Sequence, residues 1–275
     1  MIDQKEYLKL FDLTYHVTQS LEGTKYPDKR FYDCNKLAFK LFSHAATIYW
    51  LRQGTSAPFP NPSGTSFFDS ASVAVITRSI LETYLTMFEL FFETISDDER
   101  EFRHACWLLN GLVIRENFTP INPEHNNKIK NSQIQIKKLR ERIQDTKVYR
   151  YLSDKNKKRV LQGKSVPREL ETRLKKAGFA PLTTQKMYQY LSSYIHSDGL
   201  SAIQLMDLKT RESQEKNIDG FMNISMIVMS KMILAYSNLF DTAKIACMDR
   251  PEAFQLANMY SNVASQLDEI KQSKI

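Results

Sequence analysis

Glycine and proline are scarce in this chain, eight and nine among 275 residues. Many-stranded sheets need frequent tight turns, and those turns draw on these two residue types. Their scarcity excludes a sandwich or barrel of short strands and favours long helices. Cysteine is scarcer still. Cys34, Cys106 and Cys247 are an odd number, far apart, in helical and apolar contexts such as "RHACWLLNG". No metal-binding spacing links them, so they read as small core residues in a reducing cytoplasm. Also lacking are a P-loop, a G-x-G-x-x-G turn and any strand to launch one, which argues against nucleotide-cofactor enzymes, and no cofactor is expected. His16, His44, His104, His125 and His196 form no H-E-x-x-H pattern and no carboxylate cluster accompanies them, so no metal is expected either.

An apolar export signal is missing too: "MIDQKEYLKLF" carries charges where such a signal needs an uninterrupted apolar run. The longest apolar stretch, "FMNISMIVMSKMILAYSNLF" at 221–240, is broken by Asn223, Lys231 and Asn238. A charge mid-span is costly in lipid, so this reads as a buried core helix, with no membrane partner and a cytoplasmic location expected.

What is present is helical periodicity nearly everywhere, with 42% hydrophobic and 11% aromatic residues to build a core. The fold class expected is all-α, a multi-helix bundle in a single domain over 1–275. Helices are expected over 3–21, 31–52, 67–96, 97–117, 124–146, 218–247 and 251–273, with two short ones before "GKSVP" and up to "KKAGF". Another starts near "PLTTQKMYQ", where Thr183 or Thr184 is a credible cap, and ends at Asp198-Gly199, with Gly199 as a left-handed cap. Ser96 followed by Glu99 resembles a capping box. The segment 54–66, with three prolines and two glycines, is expected to be an exposed loop. In the last helix Leu256, Tyr260, Val263, Leu267 and Ile270 are spaced 4-3-4-3. That is either a short coiled-coil seam for a homodimer or a face packed on the parent domain. Two heptads are few for the former.

Charge is unevenly spread. The chain carries +7, yet Lys128 to Lys176 holds 17 Lys and Arg against five acids, an excess of +12 that leaves −5 elsewhere. A basic helical subregion, 124–178, is therefore expected as an insertion between core helices. Within it "KVYRYLSDKNKKR" offers Lys147, Arg150, Lys155, Lys157, Lys158 and Arg159 with tyrosines interleaved. Cations for a phosphate backbone and aromatic faces for unpaired bases suit nucleic acid. An acidic protein partner would exploit the same patch, and a solvated helical hairpin is the bland alternative.

Two apolar helices carry polar stripes. On 67–96, Arg78, Glu82, Glu89 and Glu93 fall within about 60° at 100° per residue, with Arg78 and Glu82 one turn apart. On the later helix Gln185, Gln189, Ser192 and His196 share one face, opposite Met187, Leu191 and Tyr194. Ser192 and His196 stand within possible hydrogen-bonding reach, but nothing resembles a nucleophile elbow or oxyanion turn. The bland reading of both stripes is a wet face on a largely buried helix. "TRSILETYLTMFEL" (77–90) with "YQYLSSYIHSDG" (188–199) resembles an uncharacterised family of helical bacterial proteins, akin to the HEPN superfamily of RNA-cutting toxins and phage-defence proteins. The matching positions are Arg78, Glu82, Tyr188, Leu191, Ser192 and His196. The resemblance implies a HEPN-like core with extra helices and a protein of a bacterial defence or toxin-type system that engages RNA. It extends to metal-independent cleavage by a cluster of Arg78, Glu82, Ser192 and His196. There Arg78 holds a phosphate, Glu82 orients it or the imidazole, and His196 acts as acid or base. One departure matters: active HEPN ribonucleases carry Arg and His on one helix with four to six residues between. The nearest pair here, Arg100-x-x-x-His104, is one residue short. The alternative is a non-catalytic binding or regulatory module. In it the cluster fixes helix packing and the basic 128–176 segment docks nucleic acid or an acidic protein.

Overall fold

The computed structural model describes residues 3–23, 26, 28–56 and 66–272. Among them lie thirteen α-helices and one two-residue β-ladder, so the protein is an all-α multi-helix bundle. The ladder pairs Thr55–Ser56 with Ser66–Phe67, closing the neck of the segment expected as a loop. Residues 57–65 of that segment lie outside the described residues. The chain divides into two compact units, one built from Met1–Phe88 with Leu170–Ile275 and one from Glu89–Glu169.

The first unit holds α1 (Gln4–Gln19), α2 (Phe31–Arg52) and α3 (Ser70–Met87) before the insertion. After it come α8 (Leu170–Lys176), α9 (Pro181–His196), α10 (Gly199–Asp207), α11 (Arg211–Leu239), α12 (Asp241–Met248) and α13 (Pro251–Gln272). At its centre is α11, opened by a reciprocal capping box between Thr210 and Ser213. From Ile218 to Tyr236 it buries side chains on every face, and 72% of its most apolar window is enclosed. A helix apolar all round belongs in a core, so α1, α2, α3 and α13 pack around it. Leu10, Leu13, Leu41, Ile80 and Leu81 are fully buried there, each worth about 1.5–3 kcal/mol.

The helix expected over 218–247 is in fact two. Phe240 leaves helical geometry (φ −131°, ψ 123°) and sets its ring 5.3 Å from both Phe31 and Tyr236. Aromatic packing there overrides helical continuity. In α13 the buried face is Ala253, Ala257 and Ala264, with Leu256, Tyr260 and Val263 half-buried. The 4-3 stripe is thus used within the unit, and Tyr260 donates to Glu6 at 2.7 Å. The Ile270 side chain lies outside the described residues.

The second unit comprises α4 (Asp97–Glu116), α5 (Pro123–Asp145), α6 (Lys147–Tyr151) and α7 (Asp154–Leu161). Each is opened by a side-chain cap, in order Ser96, Asn122, Thr146 and Ser153. Ser96 accepts from the Glu99 amide, while the Glu99 carboxylate turns to Arg103, so half of the expected capping box forms. Its core joins Phe102, Ala105, Leu109 and Leu112 to Ile136, Leu139, Ile143 and Val160. This explains why the compact unit is 89–169 rather than 124–178. The apolar stripe of α5 is one-sided and needs α4 to cover it, whereas α8 buries Leu174 in the first unit. Gly163 (φ +75°) ends α7 where Val113 Cβ and one of its methyls come within 2.9 Å of a would-be Cβ. Only glycine fits that approach.

Candidate functional site

The two sequence motifs meet on α3 and α9 of the first unit. Arg78 stands mid-helix on α3. Its Nη1 donates to Glu82 at 3.0 Å and its Nε to the Ser192 hydroxyl at 3.2 Å. Its guanidinium carbon lies 3.4 Å from the centroid of the Tyr188 ring. The Tyr188 phenol donates a short hydrogen bond to the same Glu82 oxygen, and the other Glu82 oxygen faces Arg173 of α8 at 3.5 Å. Charge, edge and face of Arg78 are therefore all engaged. The Arg78 side chain is 15% exposed and that of Glu82 30%. Burial, reinforced by the bond to Glu82, pushes the Tyr188 phenol up to about 12, so it stays protonated.

Local folding puts these groups in place. Pro181 opens α9 with its missing amide at a position that needs none. The amides of Leu182 and Thr183 donate to the Asp268 carboxylate at 3.1 and 2.8 Å. The cap expected from Thr183 or Thr184 is thus supplied from α13, 85 residues away in sequence. At the other end Ser197, not Gly199, takes the left-handed conformation (φ 51°). Asp198 then caps α10, accepting from Leu200 and Ser201, so Gly199 is its first helical residue.

His196 stands apart from this network. It is exposed and makes no hydrogen bond or ion pair among the described residues. The expected Ser192–His196 pairing does not form. The Ser192 hydroxyl donates instead to the Tyr188 carbonyl at 2.7 Å. Such a back-bond points the hydroxyl toward the helix N-terminus, away from a histidine one turn on. The structure therefore joins Arg78, Glu82 and Ser192, adds Tyr188 and Arg173, and leaves His196 outside. No nucleophile–base pair exists in this cluster. Its chemistry is that of a saturated polar clamp on three helices.

Glu89 and Glu93, expected on the Arg78 stripe, lie elsewhere. α3 stops at Met87, and Phe88–Phe92 winds as a π-helical turn. The wider turn breaks the 100° register. In the second unit the turn's free carbonyls are met by arginines. Arg100 donates to Leu90 O and Glu93 O, and Arg103 to Glu89 O, each at 3.0 Å. Arg103 also pairs with the Glu93 and Glu99 carboxylates, and Arg168 reaches Glu89 and Glu99 at 3.5 and 3.6 Å. Sequence reading missed Arg103; the i, i+4 pair Glu99–Arg103 was its visible signal.

Of the expected nucleic-acid residues, Lys147, Lys155, Lys157 and Lys158 make no ion pair among the described residues. Lys157 sits 5.8 Å from the Tyr149 ring, and Tyr151 is 90% exposed. Arg150 and Arg159 are each tied to a backbone carbonyl, Asp145 O at 3.3 Å and Ser165 O at 2.7 Å. Among the described residues no three potential metal ligands converge. Compared with family models, with curated proteins and with solved structures, the chain matches none.

Proposed function

We propose that the protein binds RNA through the lysine side chains of its 89–169 unit, and that the Arg78–Glu82–Tyr188 cluster is a structural clamp. The observation that carries this reading is a division of labour among the unit's cations, with Arg115 (no acidic partner among the described residues) and Lys128 (paired with Glu124) as exceptions. In that unit Arg100, Arg103, Arg140, Arg142, Arg159 and Arg168 are all turned onto carboxylates or carbonyls of the same unit. The lysines at 137, 138, 147, 155, 157, 158 and 164 have no acidic partner among the described residues. Guanidinium forks suit fixed internal bonds, while ammonium groups on flexible stems suit a phosphate backbone. Tyr149 and Tyr151 beside them offer faces to unpaired bases. The resemblance of the two helix motifs to the HEPN superfamily points to the same class of ligand.

Binding of a single-stranded RNA, followed by fluorescence anisotropy against salt, tests this. The charge reversal of Lys155, Lys157 and Lys158 to Glu should weaken binding. It should also reduce the log–log salt slope by about 2, at about 0.7 per phosphate contact. Unchanged affinity and slope would refute it. The same RNA is run on a gel after incubation. Cleavage by the wild type that His196→Ala abolishes would replace the binding reading by the catalytic one.

A further inference from the structure

The α4–α5 face of the second unit carries two adjoining cavities, of about 480 and 320 Å³. Both are lined by Gly111 and Arg115, so they form one groove along the helix pair. Trp107 lines one end and Phe118 the other. Their positions are eleven residues apart in sequence, Trp107 on α4 and Phe118 just beyond its end. Among the described residues no carboxylate lines either cavity, while Arg115, Lys138, Arg142, His125 and Lys128 do. Lys128 and Arg142 hold acidic partners, Glu124 and Glu101. Arg115 and Lys138 hold none among the described residues.

Gly111 is the telling residue. A glycine inside a helix costs about 1 kcal/mol against alanine and needs a reason. Close packing is not that reason, because nothing lies within 4 Å of where its Cβ would be. Its effect is to leave the floor of the groove open one turn beyond Trp107, on the way to Phe118. Aromatic walls, a flat floor and unpartnered cations are what a single strand with splayed bases requires.

We infer that this groove seats unpaired bases of a single-stranded nucleic acid, stacked at Trp107 and Phe118 with phosphates at Arg115 and Lys138. The inference rests on the RNA-binding reading and assigns it a base-contacting surface distinct from the lysines of α6 and α7. It predicts a preference for single strands over duplex, whose bases cannot enter.

The protein's two tryptophans are Trp50 and Trp107, so Trp50→Phe leaves Trp107 as the sole reporter. A short uridine–adenosine oligonucleotide should quench Trp107 in that background. Gly111→Leu should abolish the quenching and weaken single-stranded RNA binding about tenfold or more, the worth of a stacked base. Duplex binding should be unaffected, and the helix should be no less stable, because leucine is the better helix former. If single-stranded RNA binds, the lysine reversal weakens it and Gly111→Leu does not, the groove inference falls while the RNA reading stands. If the oligonucleotide quenches Trp107 but the lysine reversal changes nothing, the groove stands and the lysine contacts fall. Quenching by an acidic peptide and not by the oligonucleotide would give the groove to a protein partner and overturn the inference.

Discussion

The clamp on α3, α8 and α9 can be weighed by a double-mutant cycle on Arg78 and Glu82. An exposed i, i+4 ion pair is worth about 0.3–0.5 kcal/mol, whereas breaking a fully buried pair costs about 3–5 kcal/mol. This pair lies between those limits, with side chains 15% and 30% exposed at 3.0 Å. A coupling of about 1–2 kcal/mol is expected. Glu82→Ala alone should cost more, about 2–3 kcal/mol. It also removes the acceptor of the Tyr188 phenol and one contact of Arg173. Urea unfolding is followed by circular dichroism. Arg78→Ala, Glu82→Ala and the double variant are compared in this way. A coupling below about 0.5 kcal/mol would show that the pair behaves as surface decoration, and the clamp would have to be abandoned.

Two further predictions concern the same unit. Lys231 is 8% exposed, over the Phe179 ring at 5.1 Å, and burial lowers its pKa from 10.5 to about 8. The unfolded chain keeps this proton to higher pH than the folded one, so stability should rise as pH climbs from about 8 toward 10.5. Lys231→Met should remove that rise and raise the unfolding free energy at pH 7 by about 1–3 kcal/mol. A destabilised variant with the wild-type pH profile would contradict it. Asp268→Ala should cost about 1 kcal/mol in the same assay, the worth of a helix N-cap, while Asp268→Asn should lose much less. Equal losses would mean that the carboxylate contributes charge rather than hydrogen bonds.

Which parts of this structure were legible in the sequence follows from what is local. Caps such as Ser96 and breaks such as Pro251 act within a few residues, so helix starts could be read directly. The meeting of Arg78, Glu82 and Ser192 was also legible, because each helix shows one polar stripe on an apolar cylinder. What escaped is what distant packing decides. Asp268 caps α9 from α13, leaving Thr183 and Thr184 no such role. Phe240 breaks a helix to join an aromatic cluster drawn from α2 and α11. The π-turn at Phe88–Phe92 shifts Glu89 and Glu93 out of the Arg78 register by an irregularity that no 100° wheel contains. His196 shares a wheel face with Ser192, yet the back-bond of the serine separates them. A helical wheel reports azimuth and says nothing of which way along the axis a hydroxyl points.

The charge count shows the same limit in another form. A window from Lys128 to Lys176 carries +12, which suggests one uniformly basic surface. The compact unit instead begins at Glu89 and brings its acids with it: 17 Lys and Arg against twelve Asp and Glu leave +5. Those acids are not spread at random over the cations. Glu89, Glu93, Glu99 and Glu101 hold Arg103, Arg142 and Arg168, whose planar forks can satisfy carboxylates and backbone carbonyls at once. Lys137, Lys138, Lys147, Lys155, Lys157 and Lys158 are left without an acidic partner among the described residues. Neutralising the arginines therefore does not erase the positive field. It concentrates that field on side chains that are mobile, strongly hydrated and cheap to hand over to a phosphate, because no internal bond is broken when they leave solvent.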